Sequence, residues 1–186
     1  MKVFLKSYGE DRGGSFLYPI WKFPSFGVPG VRDMGIFFDQ LIKKDPTGWH
    51  VIICTGSSGA FIVGMLMAMT PSLLDLSLVF YLRKEEEESN GQSNSEQWHV
   101  YLKQIDEVRA RGLNVSFWFV DDVLCSCETL SRVLCFLDGR QELSGVLVLR
   151  DEARLSDWRR LADSFFGELS VYAGWHSMDK MEFDVV

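Results

Sequence analysis

The sequence has little of the residue types that build metal sites and disulfide frameworks. Its 186 residues include three histidines and four cysteines, and it contains no C-x-x-C pair. Cys125, Cys127 and Cys135 could suggest a metal, but no histidine lies at ligand spacing near them, so a zinc site is not favoured. The cysteines lie in or beside apolar runs, so we expect buried, reduced thiols, as is typical of a cytoplasmic protein. They are Cys54, Cys125, Cys127 and Cys135.

Excess positive charge and long apolar runs are also missing. The formal net charge is −7, which argues against non-specific binding to nucleic acid because such binding needs a basic face. An anionic small molecule is not excluded, since backbone amides at a helix N-terminus can hold one. The longest apolar stretch, residues 60–69, is too short to span a bilayer. Residues 1–6 do not resemble a signal peptide, so we expect a cytoplasmic protein with no membrane partner.

What is present is an alternation of apolar strands and amphipathic or apolar helices. With 47% hydrophobic residues, the chain has enough apolar surface for one globular domain over residues 1–186. Strands without polar alternation are typical of sheets covered on both faces. The pattern therefore predicts a three-layer α/β fold with a mainly parallel central sheet. The predicted strands are 49–54, 76–82, 115–120, 145–149 and 169–172, and the predicted helices are 33–44, 60–69, 98–112, 130–137 and 156–166, the last capped by Ser156.

Two segments carry no such pattern. Residues 1–32 are rich in glycine, proline and aromatic residues, and we expect irregular or short-strand structure there. Residues 85–96 begin with four consecutive glutamates and continue with serine, asparagine, glycine and glutamine. Because such a segment has almost nothing to bury, we expect a mobile loop.

The segment Asp121–Thr129 follows a hydrophobic strand with chemistry suited to a sugar phosphate. Asp121 and Asp122 are carboxylates that can accept hydrogen bonds from vicinal hydroxyls or from water bound to Mg²⁺. The following residues, Cys125, Ser126, Cys127, Glu128 and Thr129, lead into a predicted helix whose unpaired amides favour an anion. The order of diol-binding acids and then a phosphate cradle predicts a ribose 5-phosphate site.

A second loop, Thr55-Gly56-Ser57-Ser58-Gly59, joins a buried strand to an apolar helix. Its glycines allow close approach of the backbone to an anion at the positive end of the helix. The same residues also suit the strand–turn–helix context of a nucleophile elbow, with Ala60 in place of the last glycine. Ser58 would then be the nucleophile of a serine hydrolase, with His176 as base and Asp157 or Asp163 as the third member.

A third feature is Arg83-Lys84, at the end of a predicted strand and directly before Glu85–Glu88. Arginine and lysine suit phosphate oxygens as a fork and a point charge. The polar run that follows could close over a site as a lid. A basic strand end balanced by a solvated acidic loop is the alternative interpretation.

Together these three loops resemble the phosphoribosyl pyrophosphate (PRPP) site of the type I phosphoribosyltransferases. Residues 120–129 resemble the family motif of a hydrophobic strand, two acidic residues, two or three small or apolar residues and Thr/Ser-Gly-x-Thr. By position, Asp121 and Asp122 would meet the ribose hydroxyls, and residues 125–129 would hold the 5-phosphate. Cys127 stands where the family usually has glycine, so a Cβ would crowd the loop or require a different backbone angle.

The resemblance implies further expectations about structure and activity. Residues 55–59 would bind pyrophosphate, and Arg83 and Lys84 would contact the same group from a flexible catalytic loop. The reaction would transfer phosphoribosyl from PRPP to a nucleobase, with Mg²⁺ as cofactor and pyrophosphate as product. A hood from residues 1–32 and part of the C-terminal region would cover the base, and the protein could form a homodimer. A non-catalytic module that binds PRPP or a nucleotide is the alternative within the same fold.

Overall fold

The computed structural model describes residues 1–7, 27–44, 48–82, 94–137 and 143–176. Within these ranges the chain forms six strands and six helices. In chain order they are β1 (Lys2–Ser7), α1 (Gly27–Lys44), β2 (Trp49–Thr55), α2 (Gly56–Met69), α3 (Ser72–Leu76), β3 (Ser77–Leu82), α4 (Asn94–Ala110), β4 (Val115–Leu124), α5 (Glu128–Leu137), β5 (Gly145–Asp151), α6 (Leu155–Ser164) and β6 (Glu168–His176).

The strands of the described residues form one sheet in the order β1-β6-β5-β4-β2-β3. Every neighbouring pair in it is parallel. Strand β2 pairs with β3 on one side and with β4 on the other, so the chain changes direction across the sheet after β3. The α/β class predicted from the sequence is confirmed, and the sheet is parallel throughout the described residues.

Helices cover both faces of the sheet, which gives the three layers that the sequence predicts. Alternate residues of β2 face opposite sides, with Ile52 and Cys54 in one core and Val51 and Ile53 in the other. The first core is closed by α1, α2 and α3, and the second by α4, α5 and α6. Of the described helices, none combines the length and the apolar character needed to cross a membrane.

Several element boundaries differ from the prediction in ways that matter for the site. Strand β4 continues through Asp121 and Asp122 to Leu124, because its last residues still pair with β5. Helix α2 begins at Gly56, so most of the predicted second loop is the first turn of that helix. Ser156 does not cap α6, which begins one residue earlier.

The N-terminal segment contributes to the sheet and to one helix. Residues 2–7 form the edge strand β1, and residues 27–32 belong to α1. The remaining hood residues, 8–26 and those after 176, lie outside the described residues. The expectation that all cysteines are buried is wrong for Cys125, directly after β4, and for Cys135, on α5, which are exposed free thiols.

Candidate functional site

The carboxyl ends of β2 and β4 lie side by side at the point where the chain reverses its direction across the sheet. Pairing between them runs from Trp49 opposite Val115 to Ile53 opposite Phe119. Beyond β2, α2 turns onto one face, whereas α5, which follows β4, packs on the other. Diverging connections of this kind open a crevice at the strand ends, where ligands of parallel α/β sheets bind.

Asp121 joins the two loops that the sequence singles out. Its carboxylate is buried, with the residue 6% exposed, and Thr55 Oγ1 lies 3.5 Å from Oδ2. The Asp122 backbone N–H donates to Asp121 Oδ1 at 2.9 Å. A Cβ added at Gly59 would lie 3.2 Å from the same Oδ1, so the first turn of α2 passes directly over this carboxylate. A glycine at position 59 is therefore what allows the close approach.

Burial has a large effect on the ionisation of Asp121. Its pKa is raised from 3.8 to about 7, mainly by desolvation and in part by the charge of Asp122, whereas the hydrogen bond from the Asp122 amide lowers it. The neighbouring Cys54 thiol is affected as well, because burial and the Asp121 charge raise its pKa to about 12. The site therefore contains a carboxyl group that changes charge near neutral pH.

Asp122 differs from Asp121 in exposure because successive side chains of a strand point in opposite directions. It is partly exposed, and its Oδ1 accepts the Val123 backbone N–H at 2.9 Å. Asp122 is thus the more accessible carboxylate of the pair, and Asp121 lies behind it against α2.

The beginning of α2 presents hydroxyl groups and a glycine in a conformation that other residues rarely adopt. Gly56 has a φ of 62°, and both it and Thr55 are buried. Ser57 and Ser58 are exposed in the first helical turn. The side chain of the N-cap residue Thr55 makes no capping hydrogen bond to this end of the helix, which suits an anion at its first amides.

The loop between β4 and α5 is shorter than predicted and consists of residues 125–127. Cys127 has a φ of 58°, which is the left-handed conformation that favours glycine. Its side chain is buried in the core beneath α5, and this burial raises the pKa of the thiol to about 12. The Cβ therefore points into the core, and the loop keeps a turn of the kind that glycine makes.

The same loop leaves backbone amides without helical partners. The first hydrogen bond of α5 runs from the Ser131 N–H to the Cys127 carbonyl at 2.8 Å. The amides of residues 128–130 therefore have no acceptor within the helix. Ser126 and Thr129 are partly exposed, whereas Glu128 is exposed. The arrangement suits an anion at the N-terminus of α5, with hydroxyl groups on either side.

Two arginines lie near these loops. Arg160 Nη2, on α6, donates to the Ser126 carbonyl at 3.3 Å and to Asp157 Oδ1 at 3.2 Å. Arg150, at the end of β5, forms an ion pair with Glu152. No sequence pattern indicated the contact between Arg160 and the loop, because it joins residues 34 positions apart.

The described residues contain no group of three or more His, Cys, Asp or Glu side chains that could hold a metal ion. The donors at the site are the two carboxylates Asp121 and Asp122. Such a pair fits Mg²⁺ only where other oxygens, such as substrate phosphates and water, complete the coordination.

The other predicted residues either lie outside the described residues or lie on the opposite face of the sheet. Arg83 and Lys84 lie outside the described residues, as does the side chain of His176. Asp157 and Asp163 are on α6, which packs on the face of the sheet opposite to α2 and Ser58. The order of these residues in the chain suits a serine hydrolase, but the structure does not bring Ser58 together with either aspartate.

Comparison with protein-family models and with curated protein sequences found no match. Comparison with solved structures found proteins with a similar arrangement of strands and helices. The HGPRT-ase of Leishmania tarentolae, in complex with GMP, has 10% identity and a TM-score of 0.48, over 84% of this chain and 79% of the other. The hypoxanthine phosphoribosyltransferase of Staphylococcus aureus has 12% identity and a TM-score of 0.45, over 82% and 76%. A hypothetical protein of Neisseria gonorrhoeae with bound ppGpp has 15% identity and a TM-score of 0.47, over 86% and 84%.

Proposed function

We propose that this protein binds PRPP or a related ribose 5-phosphate compound and transfers phosphoribosyl to a nucleobase with release of pyrophosphate. The observation that carries the proposal is the contact of Asp121 with Thr55 and Gly59. Through it, the carboxylates of β4 and the opening turn of α2 meet in one crevice. The carboxylates suit the diol of PRPP, and the two helix N-termini beside them suit its phosphate groups.

Each element has a role in this proposal. Asp122, the more accessible carboxylate, accepts hydrogen bonds from the ribose hydroxyls. Residues 125–129 hold the 5-phosphate through the free amides of α5 and the hydroxyls of Ser126 and Thr129. Residues 55–59 hold the pyrophosphate at the start of α2, and Arg83 and Lys84 stabilise its charge as it leaves. The contribution of the protein is positioning and electrostatic stabilisation of the departing group.

Magnesium fits this proposal as an ion shared between protein and substrate. Asp121 and Asp122 would hold it through water or through the ribose hydroxyls, and it would neutralise charge on the pyrophosphate. Ionised carboxylates are needed for that role, so occupancy by substrate and Mg²⁺ would favour the deprotonated form of Asp121.

The proposal is tested by calorimetric titration of PRPP with Mg²⁺ into the wild type and into an Asp121→Asn/Asp122→Asn double variant. We expect the double variant to lose measurable binding because the diol acceptor Asp122 and the carboxylate of Asp121 behind it are both removed. The matched control is Asp106→Asn/Glu107→Gln, which removes two adjacent, exposed carboxylates on α4 and changes the net charge equally. Unchanged PRPP affinity in the double variant would overturn the assignment.

The second candidate is a module that binds PRPP or a nucleotide without turnover. The burial of Asp121 against α2 favours it, because a carboxylate held behind its neighbour contributes to the shape of the site more than to contact with substrate. Pyrophosphate release measured with a panel of purine and pyrimidine bases separates the two candidates. Binding without release over the whole panel supports the module, and release with any base supports the transferase.

A further inference from the structure

The inference concerns how the loop after β4 keeps its shape with a cysteine at position 127. A left-handed backbone angle costs a residue with a Cβ about 1–2 kcal/mol compared with a right-handed one. Cys127 nevertheless has a φ of 58°, whereas the other residues with positive φ in the described structure are glycines. Contacts with other parts of the protein must therefore hold Cys127 in this left-handed conformation.

Arg160 makes the contact that can do so. Its Nη2 donates to the Ser126 carbonyl at 3.3 Å. In a trans peptide, the carbonyl of one residue and the N–H of the next point in opposite directions. By binding the Ser126 oxygen, the guanidinium therefore fixes the direction of the Cys127 N–H, which points away from Arg160. No acceptor for this N–H is found among the described residues.

Arg160 is itself held in place by the structure of α6. The same Nη2 pairs with Asp157 Oδ1 at 3.2 Å, one turn earlier in the helix. The other carboxylate oxygen of Asp157 accepts the Arg154 backbone N–H at 3.1 Å, at the start of the helix. A chain of contacts thus runs from the N-terminus of α6 through Asp157 and Arg160 to the loop.

We propose that Arg160 is a positioning residue for the phosphate loop, which holds the Ser126–Cys127 peptide in the orientation that aims the Cys127 amide at the bound phosphate. It compensates in this way for the replacement of glycine by cysteine at the left-handed position. The proposal rests on the proposed function of the loop, and it assigns to Arg160 a role through the peptide and not through direct contact with the phosphate.

The test is a cycle of variants titrated with ribose 5-phosphate. Arg160→Gln is expected to weaken binding about tenfold, which is about 1.4 kcal/mol, since the turn can relax once the contact is lost. In a Cys127→Gly background the same change should have little effect, because glycine adopts the turn without strain. Arg159→Gln is the matched control, as it removes the same charge from the exposed neighbouring position.

The outcomes separate positioning from simple charge attraction. Equal weakening by Arg160→Gln in both backgrounds, or by Arg159→Gln in the wild type, would assign the effect to charge and overturn the proposal. Unchanged affinity of Arg160→Gln would overturn it as well.

A second measurement needs no ligand. The amide resonances of residues 126–128 should shift in Arg160→Gln, and they should shift less when Cys127→Gly is also present, because only the cysteine turn relaxes. If ribose 5-phosphate does not bind the wild type, the proposed function fails. The resonances then still decide whether Arg160 holds the loop.

Discussion

The replacement Asp121→Asn should make the protein more stable at neutral and alkaline pH while it removes part of the proposed binding site. Asp121 is 6% exposed, and burial raises its pKa from 3.8 to about 7. The unfolded chain therefore loses the proton near pH 4, whereas the folded protein keeps it until about pH 7. Over that range the unfolded state binds fewer protons than the folded state, so the free energy of unfolding falls as the pH rises.

The size of the effect follows from the two pKa values. At 1.36 kcal/mol per pH unit, a folded value of about 7 and an unfolded value of 3.8 correspond to about 4 kcal/mol. This loss of stability is absent at pH values below the unfolded pKa. It develops between the two pKa values and is complete above the folded one. Asparagine cannot ionise and has nearly the same shape. Its amide oxygen can keep the hydrogen bond from the Asp122 N–H, and its NH₂ group can donate to Thr55 Oγ1.

The assay is urea denaturation of the wild type and of Asp121→Asn at pH values from 4 to 8, without ligand. We expect the variant to gain stability over the wild type by about 4 kcal/mol between the two ends of this range. The control is Asp122→Asn, which removes a partly exposed neighbouring carboxylate and leaves Asp121 in place, so the fall of stability with pH should persist. A difference between wild type and Asp121→Asn that stays the same from pH 4 to pH 8 would refute the reasoning.

Three glycines give further predictions, each checked on a single variant. Gly59→Ala should weaken PRPP binding about tenfold in calorimetry, because the new Cβ would lie 3.2 Å from Asp121 Oδ1 and displace the carboxylate; unchanged affinity would contradict it. Gly145→Ala should lower the free energy of unfolding by about 1–3 kcal/mol, since its Cβ would lie 2.6 Å from the Trp118 ring; a stability equal to the wild type would count against this close approach of Gly145 and Trp118. Gly64→Ala, on α2, should raise stability by up to about 1 kcal/mol, because the added Cβ would meet no atom of the described residues within 4 Å beyond its own turn of helix, and alanine favours a helix. Thermal and urea denaturation measure both stability changes.

Most of the sheet was predictable because its strands are short, apolar and separated by turn residues. Buried parallel strands need no polar face, so runs such as 49–54 and 145–149 indicate them directly. The ends of the strands were less predictable. Strand β4 extends four residues beyond the predicted end because Asp121, Val123 and Leu124 pair with β5, and pairing partners are not visible in a local pattern. For the same reason β1, which pairs with β6 at the edge of the described sheet, was not predicted as part of the sheet.

The candidate site, like the sheet, was predictable from the sequence only in part. Its residue types and their order in the chain are properties of the sequence, and the prediction of two phosphate loops and a pair of carboxylates rests on them alone. What the tertiary structure alone decided is which groups meet. Gly59 lies over the carboxylate of Asp121, which is buried there. Arg160 donates to the Ser126 carbonyl from another helix.

The left-handed turn at Cys127 shows the division most clearly. From the sequence, a cysteine at this position predicted either a crowded loop or a different backbone angle. The structure keeps the angle that glycine would take and places the Cβ in the core beneath α5. A sequence determines local propensity and the chemistry that each side chain can offer. The direction of a peptide group and the burial of a carboxylate depend on contacts between distant segments, which exist only once the chain has folded.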